Sequence, residues 1–378
     1  MNRHIKFKKV FILLISTIFL STLIYLHFNS ISYLDKSPLW IRPSISILMV
    51  VDNNDIQNYD IALKTVKCYA AHYKYNYSLL NINYHRKLTK NCKQRDFMYK
   101  RHCFLANYLK HNFEDGDIIL FLDADIGVIN PNHILEKYIP IGNEEIIFYE
   151  RIFNHEIAAG TFFIKNSNYS RQFLINWSEY DFLHPYGRDG RDNVGLHFAL
   201  LDYIPEKFSK IKLKCYEIWV HTKSYKDNNT FIPCTRYIMK ESCNINNSSK
   251  ETNNYFSFDN GKIKILKKLS PRKWARDVWL TNSYWSSNDF MLHGLKLNVI
   301  NKNDAFNSWH QLLNITSYNF TQCYLDNYND NWDYYHSYHV LDDYIKLLLM
   351  KKINQVSDNY YKLINKSEIE SIDKLLSQ

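Results

Sequence analysis

A run of eleven residues, 118–128, constrains this chain more than any other segment. Five apolar residues lead into two carboxylates, Asp123 and Asp125, which are separated only by Ala124. Such a run predicts a buried strand, and residues two apart on an extended chain point to the same side. Two carboxylates that point together repel each other unless a cation lies between them. The pattern therefore predicts a site for a hard divalent cation, Mn²⁺ or Mg²⁺, at the end of a strand.

Upstream of this run, the apolar periodicity alternates between strand and helix. The predicted elements are strands at 46–51, 77–82 and 117–122 and helices at 59–72 and 95–111. This βαβαβ order predicts an α/β fold with a doubly wound, mostly parallel sheet flanked by helices. Ligands of such sheets gather at the carboxyl ends of the strands, where Asp52 and the acidic pair both fall.

Downstream of the acidic pair the pattern predicts further strands and helices. The predicted elements are strands at 145–149 and 161–165 and helices at 131–137, 167–180, 194–201 and 340–353. The glycine-punctuated segment 184–191 and the Asn- and Ser-rich segment 227–260 predict loops.

The amino terminus predicts a membrane anchor. Residues 1–9 carry four basic residues and no acid, and residues 10–28 are almost wholly apolar. Nineteen helical residues reach about 28 Å, close to the thickness of a bilayer core. The preceding basic residues predict a cytosolic tail, a type II topology and a luminal remainder that begins with a stem at 29–44. A cleaved signal peptide is the alternative, although its apolar core is usually shorter.

A luminal location bears on the cysteines and on the charge. Seven cysteines in an oxidising compartment predict a few disulfides and at least one free thiol. Cys234 and Cys243 bracket a polar segment and can pair, whereas Cys68, Cys92 and Cys103 suit either buried thiols or bridges. The net charge of +9 suits phosphate-bearing or acidic ligands, and a luminal location argues against nucleic acid as a partner.

Four segments together resemble a known family in their order along the chain. They are Phe121-Leu122-Asp123-Ala124-Asp125, the segment 159–166 that begins Ala-Gly-Thr, Asp192-Asn193, and His293-Gly294-Leu295-Lys296. The order resembles that of metal-dependent glycosyltransferases of the GT-A fold. The chain is most similar to a nematode family classed as a domain of unknown function, and more distantly to fungal and plant galactosyl-, mannosyl- and xylosyltransferases that retain anomeric configuration. The resemblance spans roughly residues 45–298.

The resemblance implies a role for each matching residue. His293 would complete a metal shell with Asp123 and Asp125, and Asp192 with Asn193 would lie near the transferred sugar and the acceptor. The implied donor-binding positions are Val51 and Asp52 at the nucleotide base, Arg101 toward the donor, Asp123, Ala124 and Asp125 at the metal and diphosphate, Gly160 below the donor sugar, and Gly294 and Lys296 at phosphate. A catalytic domain at 45–300 and a helical extension at 301–378 packed on it follow from the same resemblance.

Each of these residues also has a purely structural interpretation. Asp192 can be a plain helix N-cap, His293 a buried core histidine, and Lys296 and Arg101 ordinary surface cations. The aromatic segment at 274–285 can be an acceptor wall, or a packed core that contains a buried pair of Arg276 and Asp277.

Three functions compete at the level of sequence. The first is a Golgi or ER glycosyltransferase that moves a hexose from a nucleotide sugar to a glycan or glycoconjugate with retention. We expect the nucleotide sugar to be UDP-linked. The second is a phosphatase of the haloacid-dehalogenase type, which also places Asp-x-Asp after an apolar strand, normally the first strand of the core. The third is a luminal sugar-binding module without activity.

Overall fold

The computed structural model describes residues 44–52, 56–183, 191–221, 225–245, 247–302 and 307–366. Its strands are β1 (Ile45–Val51), β2 (Asn76–Asn81), β3 (Ile118–Leu122), β4 (Ile126–Val128), β5 (Ile146–Tyr149), β6 (Thr161–Lys165), β7 (Lys250–Glu251), β8 (Tyr255–Phe258), β9 (Ile263–Leu266), β10 (Ala275–Asp277) and β11 (Met291–His293). Its α-helices are α1 (Asp60–Tyr73), α2 (Arg86–Thr89), α3 (Phe97–Asn112), α4 (Asn168–Glu179), α5 (Arg191–Leu201), α6 (Ser209–His221), α7 (Tyr225–Ile245) and α8 (Asp342–Lys366).

Some predicted features fall on other parts of the chain. The tail at 1–9, the span at 10–28 and the stem up to residue 43 lie outside the described residues, as does the loop at 184–190. Among the helices that are described, none combines the length and the apolar character that crossing a bilayer requires.

Eight strands form the main sheet, in the order β2-β1-β3-β6-β5-β9-β8-β7. The first three strands are mutually parallel, as their βαβαβ order predicted. Beyond β3 the sheet becomes mixed, because β6 runs antiparallel to both β3 and β5 while β9 runs parallel to β5. The α/β fold is thus confirmed, but the mostly parallel sheet is corrected to a mixed one.

The central strands are buried on both faces, and successive side chains enter different cores. Leu48 and Phe121 belong to the core that lies against α3, α4 and α5. Their neighbours Met49 and Leu122 belong to a second core, which α1 and the carboxyl-terminal segment cover. This alternation follows from the period of two in a strand, and it explains why β1 and β3 read as continuous apolar runs.

A small second sheet joins the acidic turn to a distant part of the chain. Its order is β10-β11-β4, with β10 parallel to β11 and β11 antiparallel to β4. The carboxyl-terminal segment packs over this sheet, where the indole of Trp332 donates to the Val128 carbonyl at 2.8 Å and the hydroxyl of Tyr334 donates to the Ile129 carbonyl at 2.7 Å. From Ser44 onward the described residues form one unit.

Two predictions of local structure are wrong. Residues 131–137 contain only a 3₁₀ turn at Leu135–Lys137. The carbonyls of Pro131 and His133 accept hydrogen bonds from the tyrosines of α1 and are not used in a helix. The segment 227–260 holds most of α7 and a hairpin in place of a loop, because a stripe of apolar residues on α7 enters the first core.

The cysteine chemistry is also settled for the described residues. Three disulfides join Cys68 to Cys323, Cys92 to Cys103 and Cys215 to Cys234, and Cys243 is a free thiol. The expectation of a few bridges and a free thiol is confirmed. A pair between Cys234 and Cys243 is wrong, because nine residues of one helix hold the two about 13 Å apart.

The Cys68–Cys323 bridge ties the carboxyl-terminal segment to α1 across 255 residues of sequence. A crosslink that closes a long loop removes conformational entropy from the unfolded chain, so we expect its replacement by two serines to lower the free energy of unfolding by about 2–4 kcal/mol. Urea unfolding of the full chain measures this loss. Cys243→Ser is the control and should stay within about 0.5 kcal/mol of wild type; an equal effect of both changes contradicts a role for the bridge.

Candidate functional site

The acidic turn and β11 are held together by their backbones. Asp123 and Asp125 lie in the turn between β3 and β4, and Ile126 at the start of β4 lies opposite His293 at the end of β11. The carbonyl of Asp125 accepts hydrogen bonds from the amides of Gly294 at 3.1 Å and Leu295 at 2.9 Å. Strand pairing therefore brings together residues that are about 170 positions apart in sequence.

Asp123, Asp125 and His293 converge on one small volume. One ligand atom from each of the three lies within 4.8 Å of the others. Burial raises the pKa of Asp123, Arg101 counteracts this rise, and Asp125 adds to it. A cation between the carboxylates would relieve this repulsion, and two carboxylates with one imidazole are a donor set that suits a divalent metal.

The imidazole of His293 is fixed by a carboxylate behind it. Its Nδ1 lies 2.7 Å from Oδ1 of Asp277, and its Nε2 lies 3.4 Å from Oδ1 of Asp125. Burial opposes protonation of His293, but Asp125 and Asp277 outweigh it and raise its pKa. A neutral His293 would donate its Nδ1–H to Asp277 and keep Nε2 free toward the acidic pair, which is the arrangement of metal-bound histidines.

Asp277 is the functional residue that sequence reasoning missed. It was interpreted as one half of a buried pair with Arg276, but Arg276 binds Asp289 at 2.6 Å. Asp277 instead binds Arg151 at 2.8 Å, and Arg151 outweighs the effect of burial to keep the pKa of Asp277 low. Its alignment with His293 comes from the parallel register of β10 and β11, which no local motif reveals.

Arg101 is buried on α3 and bridges two carboxylates. One guanidinium nitrogen binds Asp123 and the other binds Asp192 at 2.6 Å. The two carboxylates outweigh burial and raise the pKa of Arg101, so it is a permanent cation. The interpretation of Arg101 as an ordinary surface cation is therefore wrong.

Asp192 lies in the first turn of α5 and is held by side chains of α3. Its Oδ2 accepts from Arg101 and lies 3.3 Å from Nε2 of His102, which stacks on the ring of Trp177. Burial opposes its ionisation, but Arg101 prevails and lowers the pKa of Asp192. Among the described residues, the carboxylate of Asp192 contacts Arg101 and His102 and does not cap a helix. Asn193 beside it accepts a hydrogen bond from the Ala159 amide at 2.9 Å.

Gly160 is required where it stands because Asp123 lies over it. The Gly160 carbonyl accepts from the Asp123 amide at 2.7 Å, and a Cβ at residue 160 would lie 2.2 Å from Oδ2 of Asp123. Gly294 is constrained in a different way. It has a φ of +96°, and a Cβ there would lie 2.5 Å from the ring of Trp279.

Two adjoining cavities meet at these residues. The outer cleft, of about 200 Å³, includes Val51, Asp52, Ala124 and Lys296 in its walls. The inner pocket includes Gly160 and the predicted residues Asp192 and Asn193. It also includes Arg151 and Asp277, which were not predicted as site residues. The walls shared by the two cavities are Met98, Arg101, Asp123 and His293.

Lys296 stands at the open side of the outer cleft. Its ammonium lies 3.3 Å from Oδ2 of Asp125, and its side chain is 43% exposed. Asp125 raises the pKa of Lys296, which therefore stays charged at neutral pH. An exposed cation on a flexible stem beside the acidic pair can contact a bound anion.

Burial keeps three histidines of this region neutral. It lowers the pKa of His102 to about 4 and that of His155 to about 3, and it holds the pKa of His197 well below 6.5. The unfolded chain therefore takes up protons that the folded chain refuses. Burial of these neutral histidines costs no stability above about pH 6.5. The free energy of unfolding falls as the pH drops from 6.5 toward 4.

We expect the free energy of unfolding to fall by about 2 kcal/mol per buried histidine between pH 6.5 and pH 5. Urea unfolding at each pH measures the fall. His102→Gln should make it smaller by one histidine's share. His111→Gln is the matched control, since residue 111 is exposed near the end of the same helix and should leave the fall unchanged. An unaltered pH dependence in His102→Gln contradicts the assignment.

Asp277 offers a second test. If it orients a metal-bound His293, Asp277→Ala should weaken Mn²⁺ binding by about 10- to 100-fold, as loss of such partners does elsewhere. Electron paramagnetic resonance titration of free Mn²⁺ measures the affinity. The control is Asp289→Ala, which removes a partly buried carboxylate that is paired with Arg276. Equal affinities for the two variants contradict the orienting role.

Comparisons with known proteins give one family and two partial structural likenesses. A glycosyltransferase involved in the glycosylation of the major capsid of PBCV-1 superposes with a TM-score of 0.34 and 14% identity, over 43% of this chain and 79% of its own. The catalytic domain of Drosophila β1,4-galactosyltransferase 7, in complex with xylobiose, gives a TM-score of 0.27 and 10% identity, over 60% of this chain and 93% of its own. At these scores neither likeness carries weight for fold or function.

No curated protein sequence matches the chain. Residues 66–307, more than half of the chain, match the model of one family. The chain therefore belongs to the family described as "Protein of unknown function, DUF273".

Proposed function

We propose that this protein is a metal-dependent glycosyltransferase of the GT-A type, which moves a hexose from a nucleotide sugar, UDP-linked in the first instance, to a glycan or glycoconjugate with retention. One observation carries the proposal. A cleft that ends in two carboxylates, an imidazole and an exposed lysine adjoins an inner pocket that contains a buried, ionised carboxylate. The charged groups of the first cavity suit a nucleotide diphosphate, and the carboxylate of the second would face the reacting carbon of the transferred sugar.

The metal would be held by Asp123, Asp125 and Nε2 of His293. The donor set fits, because Nδ1 of His293 is already engaged by Asp277 and only Nε2 faces the acidic pair. Mixed carboxylate and imidazole ligands favour Mn²⁺ over Mg²⁺. When bound, such a cation neutralises the charge that develops on the departing diphosphate.

Lys296 would bind the phosphates from the exposed side. Its ammonium reaches Asp125 across 3.3 Å and remains largely accessible, so it can share its charge with a diphosphate at the same place. Val51 and Asp52 lie at the other wall of the outer cleft, where the nucleoside would rest.

Asp192 would act on the sugar. It is ionised, lies in the inner pocket, and receives its contacts from the described residues at Oδ2, so Oδ1 remains to face the anomeric carbon. A carboxylate there stabilises an oxocarbenium-like centre electrostatically or attacks it. Retention itself follows only from the family resemblance.

The location proposed for the enzyme is the lumen of the Golgi or ER, with a type II anchor at 10–28. Three disulfides among the described residues support an oxidising compartment. No feature of the described residues favours the phosphatase, since the acidic pair follows the third strand and not the first.

The full chain, purified in detergent, should release nucleotide slowly from a UDP- or GDP-sugar when Mn²⁺ is present and no acceptor is added. Asp125→Ala should lower this rate by at least about 100-fold, because it removes a metal ligand and a partner of Lys296. Nucleotide release measured by coupled assay reports the rate. Asp115→Ala, at a carboxylate that is 73% exposed, is the control and should keep the wild-type rate.

Two outcomes would contradict the proposal. The first is turnover that persists after chelation of the metal. The second is release of phosphate from p-nitrophenyl phosphate without any turnover of a nucleotide sugar, which would favour the phosphatase.

A further inference from the structure

A third cavity, of about 400 Å³, opens beside the loop that follows β5. Its walls come from residues 153–155 of that loop, from residues 232–233 of α7 and from the carboxyl-terminal part of α8. It shares no lining residue with the outer cleft or the inner pocket. The proposed donor site therefore does not account for it.

The lining of this cavity combines rings with amides. Phe153, His155 and Tyr360 contribute aromatic faces, and the centroids of the His155 and Tyr360 rings lie 4.4 Å apart. Asn154 and Asn359 contribute side-chain amides. Apolar ring faces suit the C–H faces of a pyranose, and amides both donate to and accept from its hydroxyl groups. The volume lies within the usual range of about 300–1,000 Å³ for small-ligand sites, enough for an oligosaccharide of roughly two rings.

A short series of contacts connects this cavity to the reacting centre. Asp277, which holds His293, binds Arg151 at 2.8 Å, and the guanidinium of Arg151 lies 4.4 Å from the centroid of the Phe153 ring. Trp279 completes the connection, with ring centroids 6.0 Å from Phe153 and 5.8 Å from His293. Arg151 lines the inner pocket and Phe153 lines the third cavity, so the two cavities are separated by this pair of side chains.

The aromatic segment at 274–285 is divided by this arrangement. Trp274 and Trp285 are buried core residues, which agrees with the packed-core interpretation. Trp279 is only partly buried and lies over Gly294 beside the metal group. Of the three tryptophans in this segment, Trp279 is the one that is exposed enough to contact an acceptor.

We propose that the third cavity binds the acceptor glycan, taking the sugar units that lie beyond the one that receives the hexose. This inference rests on the proposed transferase function. Phe153 and Tyr360 stack on sugar rings, and Asn154 and Asn359 bind hydroxyl groups. The acceptor is accordingly an oligosaccharide chain and not a single sugar or a small aglycone.

The test measures glycan binding separately from nucleotide binding. The full chain in detergent is applied to an array of immobilised neutral and acidic oligosaccharides of one to four sugars, and its binding of UDP with Mn²⁺ is measured by calorimetry. We expect retention on glycans of two or more sugars and at least tenfold weaker retention on the corresponding monosaccharides.

Two variants and a matched control locate the binding. Asn359→Trp fills the cavity from an exposed position of α8, and Phe153→Ala removes a ring; each should weaken glycan retention at least tenfold. Leu347→Trp adds the same bulk on the outer side of α8, where residue 347 is 64% exposed, and should leave retention within twofold. Asn359→Trp and Leu347→Trp should both bind UDP with Mn²⁺ as the wild type does.

The outcomes separate this inference from the proposed function. Wild-type retention by Asn359→Trp, or no retention of any glycan by the unmodified chain, overturns the acceptor site even if UDP binds. Glycan retention that follows the expected pattern without binding of UDP or GDP supports the cavity as a glycan site and overturns the transferase.

Discussion

The buried guanidinium of Arg101 is the interaction on which the site depends. It lies between Asp123, which directly follows β3, and Asp192, in the first turn of α5, and it neutralises both in an environment of low dielectric. An unpaired carboxylate in such a place costs several kcal/mol, so neither aspartate could remain charged there alone. Arg101 thereby holds Asp123 and Asp192 at a fixed separation. It does so from α3, which also supplies His102.

A second pair of opposite charges, Asp277 with Arg151, supports His293, the third residue of the candidate metal site. Asp277 aligns His293 from behind and is itself neutralised by Arg151. The buried Arg101 thus supports the acidic pair through Asp123, and the partly buried Arg151 supports the histidine through Asp277. In both networks a carboxylate is paired with an arginine, which offsets much of the cost of placing charged groups inside the protein.

How far the sequence predicts the molecule depends on the range of the signal. The strand before Asp123 and the βαβαβ order could be predicted because they depend on local apolar periodicity. The match of residues 66–307 to a family of unknown function agrees with the resemblance to a domain of unknown function, while a nematode origin and the individual site roles remain predictions. The convergence of His293 on Asp123 and Asp125 could be predicted only because the resemblance supplied His293.

The features that could not be predicted arise from pairing between distant segments. Asp277 reaches His293 through strand register, and Cys68 meets Cys323 through the fold of the carboxyl-terminal segment. The helix α7 was missed because the segment 227–260 is Asn- and Ser-rich as a whole, although residues 231–239 are buried apart from the partly buried Tyr237. Composition reports the exposed side of such a helix, whereas burial of its apolar residues decides that it forms.

The exposed Lys296 makes the surroundings of Asp125 different from those of Asp123. Asp123 already has Arg101 as its permanent cation, but Asp125 has Lys296, which is flexible and 43% exposed. A divalent cation bound to the acidic pair would take over the neutralisation of Asp125, because its charge is larger and closer. Lys296 already lines the outer cleft, so its ammonium could then contact an anion bound there.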